Sequence, residues 1–499
     1  RFPPFRNSWP APPNLALLAG NSTVLTLRSP LLPVSLTRAD RARLLLSRAL
    51  GPSRIITEAD RCEPFSRDES EAQGQTPAAV VLAESAEDIL ATFRVASETE
   101  VPVVPRSGGS GKTGGAVPLN GGIVLVTRGM DSIKDIDRND LLAVVEPGVI
   151  LGDLHAAVER EGLFYPPDPN SAAYCCLGGN VAENAGGPRA FKYGVTREYV
   201  LGLETCLISG ERLQVGRRTV KGVTGYDLTA LLVGSEGTLG VFSELTLKLI
   251  PLPERVITLM ATFSTARRAA EAVQSMIAAR VIPRCIEFLD AVTTEAVRTR
   301  GVMVEEGAGA LLLLEVDGDE SACEASAQRV GNACDDAGAL AVRVAQSTAQ
   351  RDRLWEARRE MSPAIRKMAR HKLSEDVVVP RSKLSTLLDD VERIGQAQQV
   401  RMLSYGHAGD GNLHVNFLWD EDDEIPRVEK AVGELFRSVV SLGGTLSGEH
   451  GIGVLKAPYL HLEQSDALIA AQRRIKAALD PQGLLNPGKI FWPSTHRAC

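Results

Sequence analysis

Arg106–Pro118 reads RSGGSGKTGGAVP, five glycines in thirteen residues, entered from the apolar run Val101–Pro105 and followed by a second one, IVLVT, at Ile123–Thr127. Two nucleotide-binding patterns come close here, and both fail. Gly111-Lys112-Thr113 has the end of a P-loop, but position 106, where that pattern requires glycine, holds Arg. Gly109, Gly111 and Gly114 match G-x-G-x-x-G, yet that fingerprint must open a helix, and this loop runs on into a strand. Neither nucleotide fold is supported. What the loop offers is a turn of successive backbone N–H groups, an anion nest that glycine lets a pyrophosphate approach closely. A merely flexible hairpin would not need the stiff entry Pro105-Arg106-Ser107.

The neighbouring sequence reads as short strands and helices. Before the loop come a helical pattern from Thr37 to Leu50 stopped by Gly51, a strand in PAAVVLAES and a helix in AEDILATFRVASETE. After it come the strand LLAVVEPGV, a helix over about Leu151–Glu161, and a Gly/Ala/Asn-rich stretch from Pro166 to Glu204. A strand at Val200–Ile208 and a third glycine-rich stretch, Leu232–Ile250, complete this part. Small residues at such density let backbone lie against a flat or extended ligand. Pro251–Val256 ends the unit. Beyond it, strands and helices alternate (ITLMATF, a helix to Arg280, CIEFLD, ALLLLEVDG, a helix over Glu320–Ala337, ALAVRVA) without a glycine-rich start. That pattern suggests a ferredoxin-like α+β sheet with helices on one face. One long helix is expected from Ser347 to His371, with Arg358 and Ser362 four apart on one face. A short strand DVVVP and a helix to about Gln398 follow.

SYGHAGDGNLHVNF, Ser404–Phe417, holds two of the chain's seven histidines. Apolar residues on either side of AGDGNL read as strands, so a hairpin would bring His407 and His414 together. A third histidine, His450, follows in SGEHGIG beside Glu449. Two histidines and a carboxylate are a common way to hold a divalent cation with one position left open. A lone histidine reads as a satisfied core residue; this cluster, in glycine-rich loops, reads as a metal site.

At 499 residues the chain is expected to hold two or three domains. Its 44 % apolar and 23 % charged residues describe an ordinary globular protein. A net charge of −7 and the lack of a basic, aromatic-studded stripe argue against a nucleic-acid partner. Eight scattered cysteines without C-x-x-C argue against a disulfide framework or an iron–sulfur cluster. If electrons leave this protein, they must go to something outside it. No run reaches the roughly 18 apolar residues of a membrane span. Residues 1–39 carry four Arg, seven Pro and no acid. They are read as a disordered tail over 1–34, with an organelle transit peptide as the alternative. The expected location is the cytoplasm or the periphery of the inner membrane, or the mitochondrion if the lead is a transit peptide.

Three stretches together, RSGGSGKTGG, GGNVAENAGG with KYG, and GYDLTALLVGSEGTLG, resemble the PCMH-type FAD-binding domain of the vanillyl-alcohol oxidase superfamily in order and spacing. HAGDGNLH, GEHGIG and LDPQGLLNPGK resemble the C-terminal domain of FAD-linked 2-hydroxy acid dehydrogenases. That group takes in D-lactate dehydrogenases, the glycolate oxidase flavin subunit and D-2-hydroxyglutarate dehydrogenases. The resemblance implies an α+β chain with a PCMH-type FAD-binding domain over 35–252 and a ferredoxin-like substrate and metal domain over 253–499, whose last segment returns to the FAD domain. It implies FAD contacts from Arg106, Ser107, Gly108, Gly109, Ser110 and Gly111, and from Pro147, Asp168, Gly178, Gly179, Asn184 and Gly187. Tyr193, Gly194, Glu236, Gly237, Leu239 and Asn486 complete that set. No His stands between Val101 and Leu154, so the FAD is expected to be non-covalent. Cys176 stands where relatives often carry Thr and is read as a small packed residue.

The same resemblance implies that His407, His414 and Glu449 hold a divalent metal, zinc or another first-row ion, and that His450 is the base. It implies that Arg358, Asn416 and Ser362 meet a small 2-hydroxy acid. Hydroxyglutarate-type relatives place a Lys at the position of Ser374; here Lys372 stands two residues earlier, which favours D-lactate or glycolate, while Asn416 favours D-2-hydroxyglutarate. The electron acceptor is expected to be a quinone, an electron-transfer flavoprotein or an iron–sulfur subunit. A non-catalytic relay subunit would have lost the substrate residues kept here. A transferase of the alkyl-glycerone-phosphate synthase kind would need a lipid-handling surface, for which no apolar segment is suited.

Overall fold

Short apolar runs punctuated by Gly and Pro become the strands of two small sheets in the first half of the chain. The computed structural model describes residues 36–491, so the readings of the N-terminal lead lie outside the described residues. The first sheet orders β1 (Ile55–Ile56), β2 (Ala79–Leu82), β3 (Val103–Arg106) and β4 (Ile123–Val126) as β1-β2-β4-β3. Strands β2 and β3 both run parallel to β4. The helix Ala86–Thr99 lies between β2 and β3 in the chain and buries Ile89, Phe93 and Ala96 in the core beneath them. Ser85 caps it, its Oγ accepting the Asp88 N–H at 3.2 Å.

The second sheet is antiparallel. It orders β5 (Ile133–Asp137), β6 (Leu142–Val145), β8 (Val200–Cys206), β9 (Arg212–Gly216) and β10 (Val241–Lys248) as β5-β6-β10-β8-β9. A short pair, β7 (Leu163–Phe164) with β11 (Ile250–Pro251), stands beside it. The loop Arg106–Pro118 links β3 to β4 without opening a helix.

The second half is built on seven strands: β12 (Arg255–Phe263), β13 (Cys285–Leu289), β14 (Ala310–Gly318), β15 (Ala341–Val344), β16 (His371–Val378), β17 (Arg401–His407) and β18 (Asn412–Trp419). Their order is β15-β12-β14-β13-β17-β18-β16. The first four strands, with the helices Ala266–Ala278 and Glu320–Asp336 between them, form the β-α-β-β-α-β ferredoxin-like unit. The His hairpin and β16 extend it.

Strand alternation gives the sheet two unlike faces. One face presents Leu259, Phe263, Phe288, Leu312, Leu314, Val415 and Phe417 to four helices, in the largest core of the molecule. Each such side chain contributes roughly 1.5–3 kcal/mol on full burial. The opposite face carries Glu315, Glu287, His407, His414, Asn416, Lys372 and Asp376, all buried. A sheet face that is polar and yet buried is a face with work to do.

Three expectations are corrected here. Helices cover both faces: Ala291–Arg298, Thr348–Arg359 and Met361–Arg366 pack Val297, Ala357, Met361 and Ile365 against the polar face's apolar end. The single helix expected over Ser347–His371 is instead two, parted at Glu360 and finished by Arg366. Pro363 has no N–H to give an interior turn and is tolerated only in the first turn of a new helix. His371 already belongs to β16, which is eight residues long rather than the short DVVVP.

The C-terminal segment comes back to the first sheet. Val103 donates its N–H to Leu484 O at 2.8 Å, and Asn486 donates its own to Val103 O at 2.7 Å. The Asn486 side chain then bridges two loops, giving Nδ2 to Gly115 O (3.0 Å) and Glu236 O (2.8 Å), from a backbone with φ 45°. Asn486→Ala leaves two buried carbonyls short of a donor at a left-handed position. It is expected to cost about 2–4 kcal/mol, read as a lowered urea midpoint with FAD bound.

Candidate active site

The hairpin register decides how the histidines meet. His407 stands opposite Asn412 and His414 opposite Tyr405, so the two imidazoles are diagonal neighbours on one face. Their ring centroids are 5.3 Å apart. The turn itself is tight. Gly411 sits at φ 75°, and a Cβ there would lie 2.1 Å from Val379 O, so only glycine closes this hairpin.

Glu449 is brought in by a loop that Asp376 pins from below. Asp376 Oδ2 accepts the backbone N–H groups of Gly448 (2.8 Å), Glu449 (2.8 Å) and His450 (3.0 Å). Its Oδ1 accepts from Asn412 Nδ2 at 2.6 Å. Glu449 Oε1 then lies 3.3 Å from His407 Nε2 and 3.5 Å from His414 Nε2. Such separations suit donors about 2.0–2.1 Å from one tetrahedral ion. The far nitrogen of His407, Nδ1, bonds Glu287 Oε1 at 2.5 Å, the carboxylate–histidine arrangement that orients metal ligands. Three donors so disposed fit a divalent metal. Asp376, His414 and His450 form a second group of donors within 4.8 Å of one another. Both oxygens of Asp376 are already occupied, which leaves it the poorer ligand.

The charges are balanced within the cluster. Burial works against charging His407, but Glu287 and Glu449 outweigh it and raise the imidazole well above its ordinary value. Burial likewise opposes ionisation of Glu449, and His407 and His414 overcome it, holding that carboxyl at about 2. His414 is pushed down to about 3 by burial, with His450 and His407 adding to the effect. His450, stacked on His414 at 5.3 Å, is lowered chiefly by burial and is neutral near pH 7.

Arg358 faces the cluster. Its Nη2 lies 2.5 Å from Glu287 Oε2, an ion pair not aligned as a hydrogen bond, and its guanidinium lies 4.9 Å from the centroid of the Tyr405 ring. Arg358 Nε is buried and has no hydrogen-bond partner among the described residues. Ser362, in the next helix, accepts from Lys372 Nζ at 2.7 Å. Lys372 is buried. Burial, helped by Lys112 and Arg366, lowers its pKa to about 8.

One cavity of about 730 Å³ joins these residues to the glycine-rich loops. Its wall includes Arg106, Ser107, Gly108, Gly109, Ser110, Gly111, Pro147, Gly178, Gly179, Glu236 and Gly237 from the first half. Arg358, Ser362, His407, His414, Glu449 and His450 line it from the second. Gly109, at φ 72°, leaves the backbone bare where a side chain would strike Arg106. A bare glycine loop on a cavity of cofactor size fits a dinucleotide.

Other expected residues stand behind the wall. Asp168 pairs with Arg189 at 2.9 Å and lines a second cavity of about 390 Å³. Tyr193 donates its O–H to Asp317, and Asn184 Oδ1 accepts the Arg197 N–H. Gly187, Gly194, Leu239 and Asn486 are likewise off the cavity wall. Asn416 is fully buried, giving Nδ2 to His414 O at 2.8 Å. Conversely, Glu287, Asp376, Tyr405 and Glu183 escape the sequence reading, and Lys372, noted there only as displaced from the position of Ser374, lines the same cavity. For Glu287 a signal exists, an acid in the middle of the otherwise apolar CIEFL; for Asp376 none does.

The FAD binding domain family matches residues 77–216, and the family described as FAD linked oxidases, C-terminal domain, matches residues 252–490. The chain is 41% identical to the glycolate oxidase subunit GlcD of Bacillus subtilis, over 86% of this chain and 92% of that one. It is 34% identical to a D-lactate dehydrogenase of Anaerostipes hadrus, over 89% and 96%. Among solved structures, the 4-ethylphenol oxidase from Gulosibacter chungangensis matches with a TM-score of 0.76 at 20% identity, over 93% and 100% of the two chains. An alkyldihydroxyacetonephosphate synthase matches with 0.71 at 19%, over 89% and 85%. At such identities these two likenesses speak for the fold alone. With the relatives covered almost end to end, the chain belongs to the FAD-linked oxidases, oxidoreductases with a PCMH-type FAD-binding domain and an α+β C-terminal domain.

Proposed function

We propose that the chain oxidises a small D-2-hydroxy acid to the 2-oxo acid. One observation carries this reading: the glycine-rich loops, the His407–His414–Glu449 cluster and Arg358 all line one cavity. The names of the relatives, glycolate oxidase and D-lactate dehydrogenase, point to the same class of substrate.

Bound FAD supplies a hydride acceptor, and a divalent ion held by His407, His414 and Glu449 supplies a Lewis acid. The chain does the rest. Arg358 anchors the substrate carboxylate through its guanidinium, a charge-assisted bond. His450, kept neutral by burial, takes the hydroxyl proton on its imidazole, and Asp376 alongside stabilises the charge so formed. Glu287 fixes both Arg358 and His407, so the anchor and the ligand cluster hold a constant spacing. Neither candidate metal group among the described residues contains a cysteine, and the electrons pass to an external acceptor, a quinone, an electron-transfer flavoprotein or an iron–sulfur subunit.

The test is anaerobic addition of D-lactate, L-lactate, glycolate and D-2-hydroxyglutarate to the yellow protein. Bleaching by one of the D-acids or glycolate is expected; no bleaching by any, with Zn²⁺ or Mn²⁺ supplied, would sink the proposal. Lys372 sets a second expectation. If the substrate carries a distal carboxylate, Lys372→Met raises its KM by about 10–100-fold, and the KM for D-lactate stays within about threefold. Equal effects on both acids would show that Lys372 does not reach the substrate's far end.

A further inference from the structure

Glu183 is a half-buried acid that the mechanism above leaves unused. It ends the helix Leu177–Glu183 and lines the cofactor cavity. Its Oε2 is buried and has no hydrogen-bond partner among the described residues. A Cβ on Gly115, in the first glycine-rich loop, would lie 2.8 Å from its Oε1, and one on Gly451 would lie 2.3 Å from its Oε2. The carboxyl is therefore wedged between the loop that faces the cofactor and the loop that carries His450.

Its neighbour is engaged by the loop that carries His450. Glu236 accepts the Ile452 N–H on Oε1 at 2.8 Å and the Gly453 N–H on Oε2 at 2.6 Å, which marks Glu236 as the ionised member. Two carboxylates in one buried site do not both ionise. Burial first, and then Glu236 and Asp68, push Glu183 well above the usual carboxylate range. A neutral carboxyl has an O–H to donate. Oε2 is enclosed against Gly451, so the oxygen left to meet the cavity's occupant is Oε1, on the side of the Gly115 loop. Three residues on, a Cβ at Gly186 would lie 2.8 Å from Glu449 Oε2. This loop thus runs beside the His cluster, the end where substrate and flavin ring have to meet.

We propose that Glu183 donates a hydrogen bond to an acceptor atom of the flavin ring, and is a positioning residue that favours the reduced cofactor. The inference rests on FAD filling this cavity. Ring acceptors gain electron density on reduction, so a fixed neutral donor holds the reduced form more tightly than the oxidised one, and a carboxylate would do the opposite.

The test compares Glu183→Gln, which keeps a neutral donor, with Glu183→Met, which keeps the length and has none. Midpoint potentials of the bound flavin and dissociation constants for FAD are read in both. Methionine is expected to lose about tenfold of the preference for reduced over oxidised flavin, a fall of about 30 mV, while glutamine keeps most of it. FAD lost by methionine and kept by glutamine also supports the hydrogen bond. A wild-type potential in the methionine variant, or an equal fall or equal FAD loss in both variants, overturns the inference. Wild-type protein that takes up no FAD would instead remove the cofactor reading beneath it.

Discussion

Glu449→Gln is expected to slow flavin reduction by the hydroxy acid by about 10²–10⁴-fold while leaving the FAD absorbance in place. The factor follows from the several kcal/mol that a Lewis acid gives to a developing alkoxide, at 1.36 kcal/mol per decade. Glu449 Oε1 is the atom that both histidine Nε2 atoms face, at 3.3 and 3.5 Å. It is also the only carboxylate of that triad, and a neutral amide oxygen in its place binds a dication far less well. The backbone of residue 449 stays pinned by Asp376, so the substitution removes charge without moving the loop. The FAD cradle is built from other residues and has no reason to release its cofactor. Two readings decide it, the metal-to-chain ratio by elemental analysis and the rate of anaerobic bleaching. Wild-type metal content with a wild-type rate would end the metal reading of this cluster; His407→Ala should reproduce the loss.

Much of this arrangement was legible in the residues. The failure of Arg106–Pro118 as a P-loop or Rossmann turn followed from local chemistry, and β3–loop–β4 bears it out. The hairpin followed from His407 and His414 around a Gly/Asx turn, because register and alternation are short-range rules. Three things were not legible. The break at Glu360 needed Pro363 weighed against a strong helical pattern, and the extended reading carried the helix past it. The second layer of helices depended on which strand face would be covered, a tertiary matter. The partners of the cluster, Glu287 and Asp376, lie 120 residues before His407 and 74 before His450, and no local pattern joins them. Several glycines and polar residues of the flavin motifs, Gly187, Gly194 and Asn184 among them, turn out to stand off the cavity wall. A motif records which residues a loop needs, and does not separate those that touch a ligand from those that shape the loop.

Asp376→Ala should be the most destabilising single change near the site, about 3–5 kcal/mol by denaturant unfolding. The residue is fully buried, and its two oxygens serve three backbone N–H groups and the Asn412 amide. Alanine leaves those donors unpaired, each costing about 1–3 kcal/mol where water cannot reach. It also strips charge from beside Lys456, whose Nζ lies 4.0 Å from Asp376 and 3.8 Å from Glu375 in a buried pocket. Lys456 ties the start of the loop that carries Glu449 and His450 to β16, through Leu446 O and Asp376 O, so the damage spreads along it. Asp376→Asn offers a graded comparison: one oxygen still accepts, while the amide NH₂ faces other donors, and a loss between wild type and alanine is expected. Flavin should remain bound in the folded fraction, because the cradle lies in the other half of the chain, while bleaching by substrate falls with the displacement of Glu449 and His450. An alanine variant as stable as the wild type would mean that the loop is held by its glycines and by Lys456, and that Asp376 is an accessory to them.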